Sequence, residues 1–304
     1  MKNLFLYAIT VLIWGSTWLA IEYQLGSINE FVSLFYRFGL AAVCMWAFVI
    51  YKRVPMRFSR RDHGFFILLA LCNFGANYLF LYWAQAHLTS AMASIAFSLL
   101  LVVNIVNTKL FFAKPIAKRI YFGASLGTLG IVSLFWHDLV AFDLQSKAFL
   151  GLSLALLGTV VASLGNMVSV RNSNQQIDVM AGNAWGMLYS AVMLATYVAF
   201  SDHQFINQAP ASYWWSLIYL SVFGTVIAFG CYFSLLKNIG PEKASYLIVL
   251  FPFVAVVLST LFEGFEWQQN TFIGFILVIL GNAIVLTPLD RIYAWLFIRS
   301  PVRS

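Results

Sequence analysis

The sequence predicts an all-α polytopic membrane protein of ten transmembrane helices, arranged as two inverted five-helix repeats. Composition, unbroken apolar runs and one-sided basic residues predict it. Of the 304 residues, 62% are hydrophobic and only 10% charged, against roughly 25% charged in soluble domains. So few charges cannot clothe a soluble body of this length. That excludes a cytosolic enzyme, a disordered chain and a disulfide-stapled secreted protein. A spanning helix needs about 20 apolar residues, so ten of them leave only short connections.

Apolar stretches run near 4–22, 31–51, 64–86, 90–112, 119–136, 150–170, 179–201, 211–236, 243–262 and 271–289. They are continuous rather than alternating with period two, which excludes a β-barrel. The first is longer than a signal peptide's core of about 7–15 residues and has no small-residue cleavage site before Glu22, so it reads as a retained helix.

Cytoplasmic loops of short-looped membrane proteins are enriched in Lys and Arg. With the N-terminus inside, the inner segments hold Lys2; Lys52, Arg53, Arg57, Arg60 and Arg61; Lys109, Lys114, Lys118 and Arg119; Arg171; Lys237 and Lys243; and Arg291, Arg299 and Arg303. Of the 18 basic residues only Lys147, outside, and Arg37, within a span, depart from this. The outer side collects Glu22, Glu30, Asp138, Asp143, Asp202, Glu263 and Glu266. Both termini are therefore expected in the cytoplasm, with 291–304 a cytoplasmic tail. The net charge of +7 and pI near 9.3 then report topology, not nucleic-acid binding. Cys44, Cys72 and Cys231 lie in apolar runs without paired spacing, and the four histidines lie in or beside polar gaps. No disulfide framework, zinc site, catalytic motif or phosphate loop is legible, so no enzyme activity, cofactor or metal is expected.

Sliding the chain on itself by about 150 residues reveals an internal repeat. At an offset of 151, Ala93-Ser94 falls on Ala244-Ser245, Phe111 on Phe262, Gly123 on Gly274, and Leu129-Gly130 on Leu280-Gly281; Gly15 falls on Gly165 one residue short of that. The expected halves are 1–140 and 148–290. Five spans per half is odd, so the second half enters the membrane from the opposite side. Carriers use such inverted repeats to expose one midplane site to either side in turn.

The run Trp14-Gly15-Ser16-Thr17, then Tyr36-Arg37-Phe38, and Gly240-Pro241-Glu242-Lys243-Ala244-Ser245 through Pro252 to Glu263-Gly264 and Glu266 resemble the EamA family of the drug/metabolite transporter superfamily. The resemblance spans roughly residues 4–290. It implies a secondary transporter of the bacterial inner membrane, usually an exporter of amino acids, other metabolites or drugs. It also implies a cavity walled by the first, third, fourth, sixth, eighth and ninth spans. The halves differ where Leu101 stands opposite Pro252, and Lys114-Pro115 opposite Phe265-Glu266.

Polar groups deep in a bilayer are costly unless partnered, so they mark candidate pathway residues. Thr10, Trp14 and Thr17 share one helix face, with Trp14 about 15 Å deep; packing between helices is the alternative for Trp14. Gly15 reads as a site of close helix approach or a hinge. Asn73 and Asn77, one turn apart, offer donors and acceptors suited to a zwitterion or polyhydroxyl solute, or else hold the bundle. Tyr78, Tyr82 and Gln85 continue a neighbouring stripe. Ser94, Ser98, Ser245 and Tyr246 are substrate candidates or packing residues. Pro252 is a hinge candidate, because a helical proline frees the carbonyl four residues earlier, here that of Ile248. Asn166, Tyr189, Tyr232 and Asn282 are further polar groups, with Asn166 and Tyr232 taken as substrate candidates. Arg37, about 9 Å from the outer end, is placed to snorkel to headgroups or to hold an anion through its fork.

No Asp or Glu falls mid-span, which suggests facilitated transport or exchange without an intramembrane acid; Glu22 and Glu242 are the nearest exceptions. The expected protein is thus a monomeric inner-membrane carrier of a small organic solute, working by alternating access. A scaffold with a carrier fold is the other class. An exchanger of phosphorylated or nucleotide sugars fits less well, since one arginine is the sole intramembrane cation.

Overall fold

The structure is a computed structural model that describes residues 2–113, 115–136, 146–205, 208–244 and 247–287. The described residues are helical throughout, joined by short turns, with no strand among them. The helices are α1 (Lys2–Glu22), α2 (Glu30–Tyr51), α3 (Arg60–Gln85), α4 (Ser90–Phe112), α5 (Lys118–Leu134), α6 (Lys147–Asn174) and α7 (Val179–Ala199). They continue with α8, built of Ala211–Ile218, Tyr219–Ile227 and Ala228–Ala244, then α9 (Leu247–Phe262) and α10 (Gln269–Leu286). Each apolar run of the sequence is thus helical to within a few residues. Seven of these helices (α1, α2, α3, α4, α6, α10 and the stretch Ala211–Tyr232 of α8) are long and apolar enough to cross a membrane. Among the others, α5 and α9 are shorter, with 17 and 16 residues, and α7 carries Asn183, Trp185, Tyr189 and Ser190 in its middle. The expected tail, 291–304, lies outside the described residues.

Helix starts follow capping chemistry, in which a side-chain oxygen accepts an otherwise orphaned N–H. Asn29 caps α2 through the N–H of Phe31, Ser59 and Asp62 form a reciprocal capping box on α3, and Asp178 accepts from Met180 and Ala181 at the start of α7. Ala113, in the left-handed conformation, ends α4.

Two departures from regular helix occur at corresponding places in the two halves. Residues Ala70–Ala76 of α3 and Tyr219–Ile227 of α8 are π-helical, offset by about 150 residues, as the sequence repeat is. Each contains a glycine, Gly75 or Gly224. A π-turn widens the helix and spoils the i→i−4 bond pattern, so its carbonyls take outside partners. Ser190 Oγ of α7 donates to the Phe74 carbonyl at 2.6 Å, and Trp14 Nε1 of α1 donates to the Gly224 carbonyl at 3.3 Å. A third irregularity lies in α4, which breaks at Ser98–Leu99 without a proline. There Ser94 Oγ bonds back to the Ala91 carbonyl and Ser98 Oγ to the Ile95 carbonyl, at 2.8 and 2.6 Å, a competition that bends helices. The paired helix α9 stays helical through Pro252, which is buried inside it.

The closest helix pair is α5 against α10. A Cβ on Gly123 would fall 2.6 Å from the Gly281 carbonyl, and one on Gly130 would fall 2.7 Å from that of Gly274; Gly274 meets the Gly130 carbonyl in return at 2.6 Å. The contacts Gly123–Gly281 and Gly130–Gly274 run antiparallel. They join the same four glycines that the sequence offset matches as Gly123 with Gly274 and Gly130 with Gly281. Gly15 plays a comparable part between α1 and α9, where a Cβ would press on Val254 and the Phe251 carbonyl.

Adding methyls at the α5–α10 crossing forces backbones apart. Gly274→Val and Gly123→Val are each expected to destabilise by about 1–3 kcal/mol, read as a lower melting temperature of the purified protein. Gly230→Ala, with nothing within 4 Å of the added carbon, is expected to gain about 0.5–1 kcal/mol instead.

Candidate functional site

Three asparagines from three helices meet inside the bundle. Asn73 Nδ2, in the π-segment of α3, donates to Asn166 Oδ1 of α6 at 3.3 Å, and Asn166 Nδ2 donates to Asn104 Oδ1 of α4 at 3.2 Å. All three are half-buried. The chain leaves Asn73 Oδ1 as an acceptor at one end and Asn104 Nδ2 as a donor at the other. Amides suit a solute bearing both an acceptor and a donor. Gly165, beside Asn166, admits the Asn73 carboxamide where any larger residue would overlap it. A second polar pair on the same two helices, Asn107 Nδ2 to Ser163 Oγ at 2.9 Å, is buried and closed on itself.

An aromatic cluster lies on α1 and α8. Trp14 lies edge-on to Phe229, with ring centres 5.5 Å apart, and tilted against Tyr232 at 5.1 Å. Trp14 and Tyr232 are half-buried. Thr17 returns its hydroxyl to the Trp14 carbonyl at 2.7 Å and sets its methyl against Gly224.

Other residues singled out in the sequence stand elsewhere. Ser94 and Ser98 are fully buried, and their hydroxyls bond within α4. Asn77 is buried, its Oδ1 has no partner among the described residues, and it is not part of the amide chain. Tyr78 lies beneath Arg37, whose guanidinium carbon is 4.4 Å from its ring centre. Arg37 itself is only 2% exposed, so it does not snorkel to the surface. Tyr189 pairs its hydroxyl with His63 Nδ1 at 2.7 Å, near the Arg171–Asp62 ion pair of 2.8 Å, and Asn282 is buried on α10. Ser245 and Tyr246 lie outside the described residues.

The end of the bundle that gathers Glu22 and Glu263 is knotted by hydrogen bonds between the two halves. Glu263, just past α9, accepts the N–H of Ser90 at 3.0 Å, the Ser90 hydroxyl at 2.5 Å and the Ser259 hydroxyl. A carboxylate from the second half thus caps the N-terminus of α4 in the first. Gln85 Nε2 donates to Ser90 Oγ at 3.2 Å and to the Trp18 carbonyl at 3.0 Å, tying α3 and α1 into the same knot. Beneath it Trp18, buried, stacks over Phe251 and tilts against Phe97. The break in α4 separates this knot from the opposite end. Its first part, Ser90–Phe97, packs on α1, α3, α5, α6 and α9, while Leu100–Phe112 packs on α6 and α10.

A groove of ≈ 500 Å³ lies between α1 and α8, lined by Ser16, Leu19, Tyr23, Trp215, Tyr219 and neighbours, and includes none of the three asparagines of the chain nor Trp14 or Tyr232. Its walls are almost wholly apolar, and the hydroxyl pair Ser16–Tyr219, 2.6 Å apart, stands on it.

Comparison with known proteins agrees with a membrane transporter. The model of the EamA-like transporter family matches residues 1–136 and 149–287, and the chain belongs to that family. Similar proteins include an uncharacterized transporter of Buchnera aphidicola subsp. Schizaphis graminum, 25% identical, with 84% of this chain and 83% of that one covered. They also include the uncharacterized transporter YoaV of Bacillus subtilis, 24% identical over 89% of this chain and 91% of its own. The uncharacterized inner membrane transporter YedA of Escherichia coli K12 is 25% identical, over 93% and 92%. One solved crystal structure shares the fold with a TM-score of 0.68 at 15% identity, covering 93% of this chain and 96% of that one.

Asn166 holds both bonds of the amide chain, Asn104 one. Interhelical hydrogen bonds in membranes average about 0.6 kcal/mol each, so Asn166→Leu is expected to cost about 1–2 kcal/mol and Asn104→Leu about half of that. Unfolding of the detergent-solubilised variants by titrated denaturing detergent measures both.

Proposed function

We propose that the protein is a secondary carrier that exports a small organic solute, an amino acid, related metabolite or amphiphilic drug, by alternating access. In this reading all ten helices cross the bilayer as two inverted five-helix repeats, 1–140 and 148–290, with both termini in the cytoplasm. The observation that carries it is the pairing of repeat-equivalent features. The π-segments of α3 and α8 correspond, and the glycines of α5 and α10 meet antiparallel across a local two-fold axis. An axis perpendicular to two membrane-crossing helices lies in the membrane plane, which is the symmetry that alternating access uses. The one-sided lysines and arginines support a cytoplasmic N-terminus. Export follows the family resemblance.

The solute site in this reading is the space between the Asn73–Asn166–Asn104 chain and the Trp14–Tyr232 wall, with amides fixing polar groups and rings covering the apolar part. Both halves contribute within one chain, so a monomer is the functional unit. The Glu263–Ser90–Gln85 knot and the Trp18 plug close the outer end, and the divergence of α4 from α9 beyond Ser98 leads toward the cytoplasm. Each charge-assisted bond of the knot is worth roughly 1.5–3 kcal/mol, enough for its loss to shift the balance between closed and open conformers.

Purified protein in liposomes tests the reading by counterflow with a panel of amino acids, polyamines and cationic amphiphiles. At least one should show saturable exchange, reduced at least tenfold by Asn166→Ala; binding without exchange for the whole panel would point to a scaffold instead. The gate has its own measurement. A cysteine at buried Ala93, in a chain lacking Cys44, Cys72 and Cys231, should react with an impermeant maleimide from outside several-fold faster once Glu263→Ala is added. An unchanged rate would remove Glu263 from the gate.

A further inference from the structure

Arg37 presents a charge balance that the carrier site leaves unused. Its side chain is 2% exposed, and Tyr82 and Gln24, which continue from it, are each 1% exposed. Arg37 Nη1 donates to the Tyr82 hydroxyl at 3.4 Å, and that hydroxyl donates to Gln24 Oε1 at 2.6 Å. The guanidinium lies over the rings of Tyr78 and Phe38, 4.4 and 5.5 Å from their centres. Among the described residues no carboxylate reaches it; the ion pair they contain is Arg171–Asp62.

Donors outnumber acceptors around this cluster. Arg37 Nε and Gln24 Nε2 are buried with no acceptor among the described residues. The Tyr82 oxygen is the one acceptor the cluster offers to the guanidinium's five N–H groups. A buried charge left without a counter-charge costs several kcal/mol, more so in a bilayer, and contact with aromatic faces returns only about 0.5–2 kcal/mol. What the cluster lacks is an acceptor of negative charge. A neutral water would answer the orphaned N–H groups but not the uncompensated charge.

We propose that Arg37, Gln24 and Tyr82 form a binding site for a single small anion, either a resident chloride or the carboxylate of a transported solute. The Arg37 fork and the Gln24 amide donate to the anion, and Tyr82 holds both donors in register. The carboxylate alternative rests on the carrier reading above. The chloride alternative does not, and a stability measurement separates failure of this site from failure of transport.

The full-length protein, purified in lipid nanodiscs with methanesulfonate as the bulk anion, is titrated with chloride and, separately, with acetate at constant ionic strength. A ligand that binds only the folded state raises its melting temperature. A saturable rise of several degrees is expected with at least one of them. Chloride alone identifies a resident halide, and acetate identifies the carboxylate group. Gln24→Leu and R37K, which remove one donor and the fork respectively, are expected to move the half-saturating concentration up by about tenfold or more. R37Q is the stronger change, but the two milder variants carry the test if it fails to fold. No rise with either anion above the methanesulfonate control overturns the proposal. So does a rise whose midpoint is the same in wild type, Gln24→Leu and R37K, since that reports anion binding elsewhere.

Discussion

Two backbones in contact at four glycines constrain much of this molecule. Apolar side chains gain nothing from leaving lipid for one another, so helices associate in a bilayer through close packing and hydrogen bonds. Gly123, Gly130, Gly274 and Gly281 bring backbone against backbone: a Cβ on any of them would fall 2.5–2.7 Å from a carbonyl of the other helix. Because α5 ends the first repeat and α10 the second, this crossing fixes how the halves face one another.

Within that frame, polar groups fall into two kinds. Some are closed on their own helix, as Ser94, Ser98 and Thr159 are, and these shape α4 and α6 without offering anything to a solute. Others reach between helices: the amide chain, the Glu263 knot, the Arg37 cluster. The amide chain and the knot span elements of both repeats, so moving one half against the other must make or break them, whereas the Arg37 cluster lies within the first. The amide chain joins α3 and α4 to α6, and the knot joins α1, α3 and α4 to α9.

Much of the helical layout was legible in the sequence, because an apolar run of about 20 residues has few structural options in a membrane. The glycine matches at constant offset were visible too, though not their crossing: an offset pairs Gly123 with Gly274, while space pairs it with Gly281. Less of the site could be read. Depth and helix face singled out Trp14 and Asn73, and polarity alone Asn166; the structure joins the two asparagines by a hydrogen bond. Asn104 went unremarked, although it stands in an apolar run with Asn107 and Thr108, a cluster of three polar residues that signals a buried partner. The serines of α4 stayed open between pathway and packing, because composition cannot tell whether a hydroxyl bonds its own helix. Ser90 and Glu263 looked like loop-edge residues, being 173 positions apart. Nothing in the sequence marks π-helical winding beyond the glycine each segment contains.

That winding bears on how the chain is made. The carbonyl of Phe74, in the first repeat, is bonded by Ser190 from the second, and the carbonyl of Gly224, in the second, by Trp14 from the first. An exposed carbonyl in hydrocarbon costs several kcal/mol. During synthesis the two debts fall due at different times. Trp14 is made before α8, whereas the Phe74 carbonyl of α3 gains its Ser190 partner only once α7 is made. Each half is thus completed by the other, and the order of translation sets only that the Phe74 carbonyl waits for its partner while the Gly224 carbonyl does not.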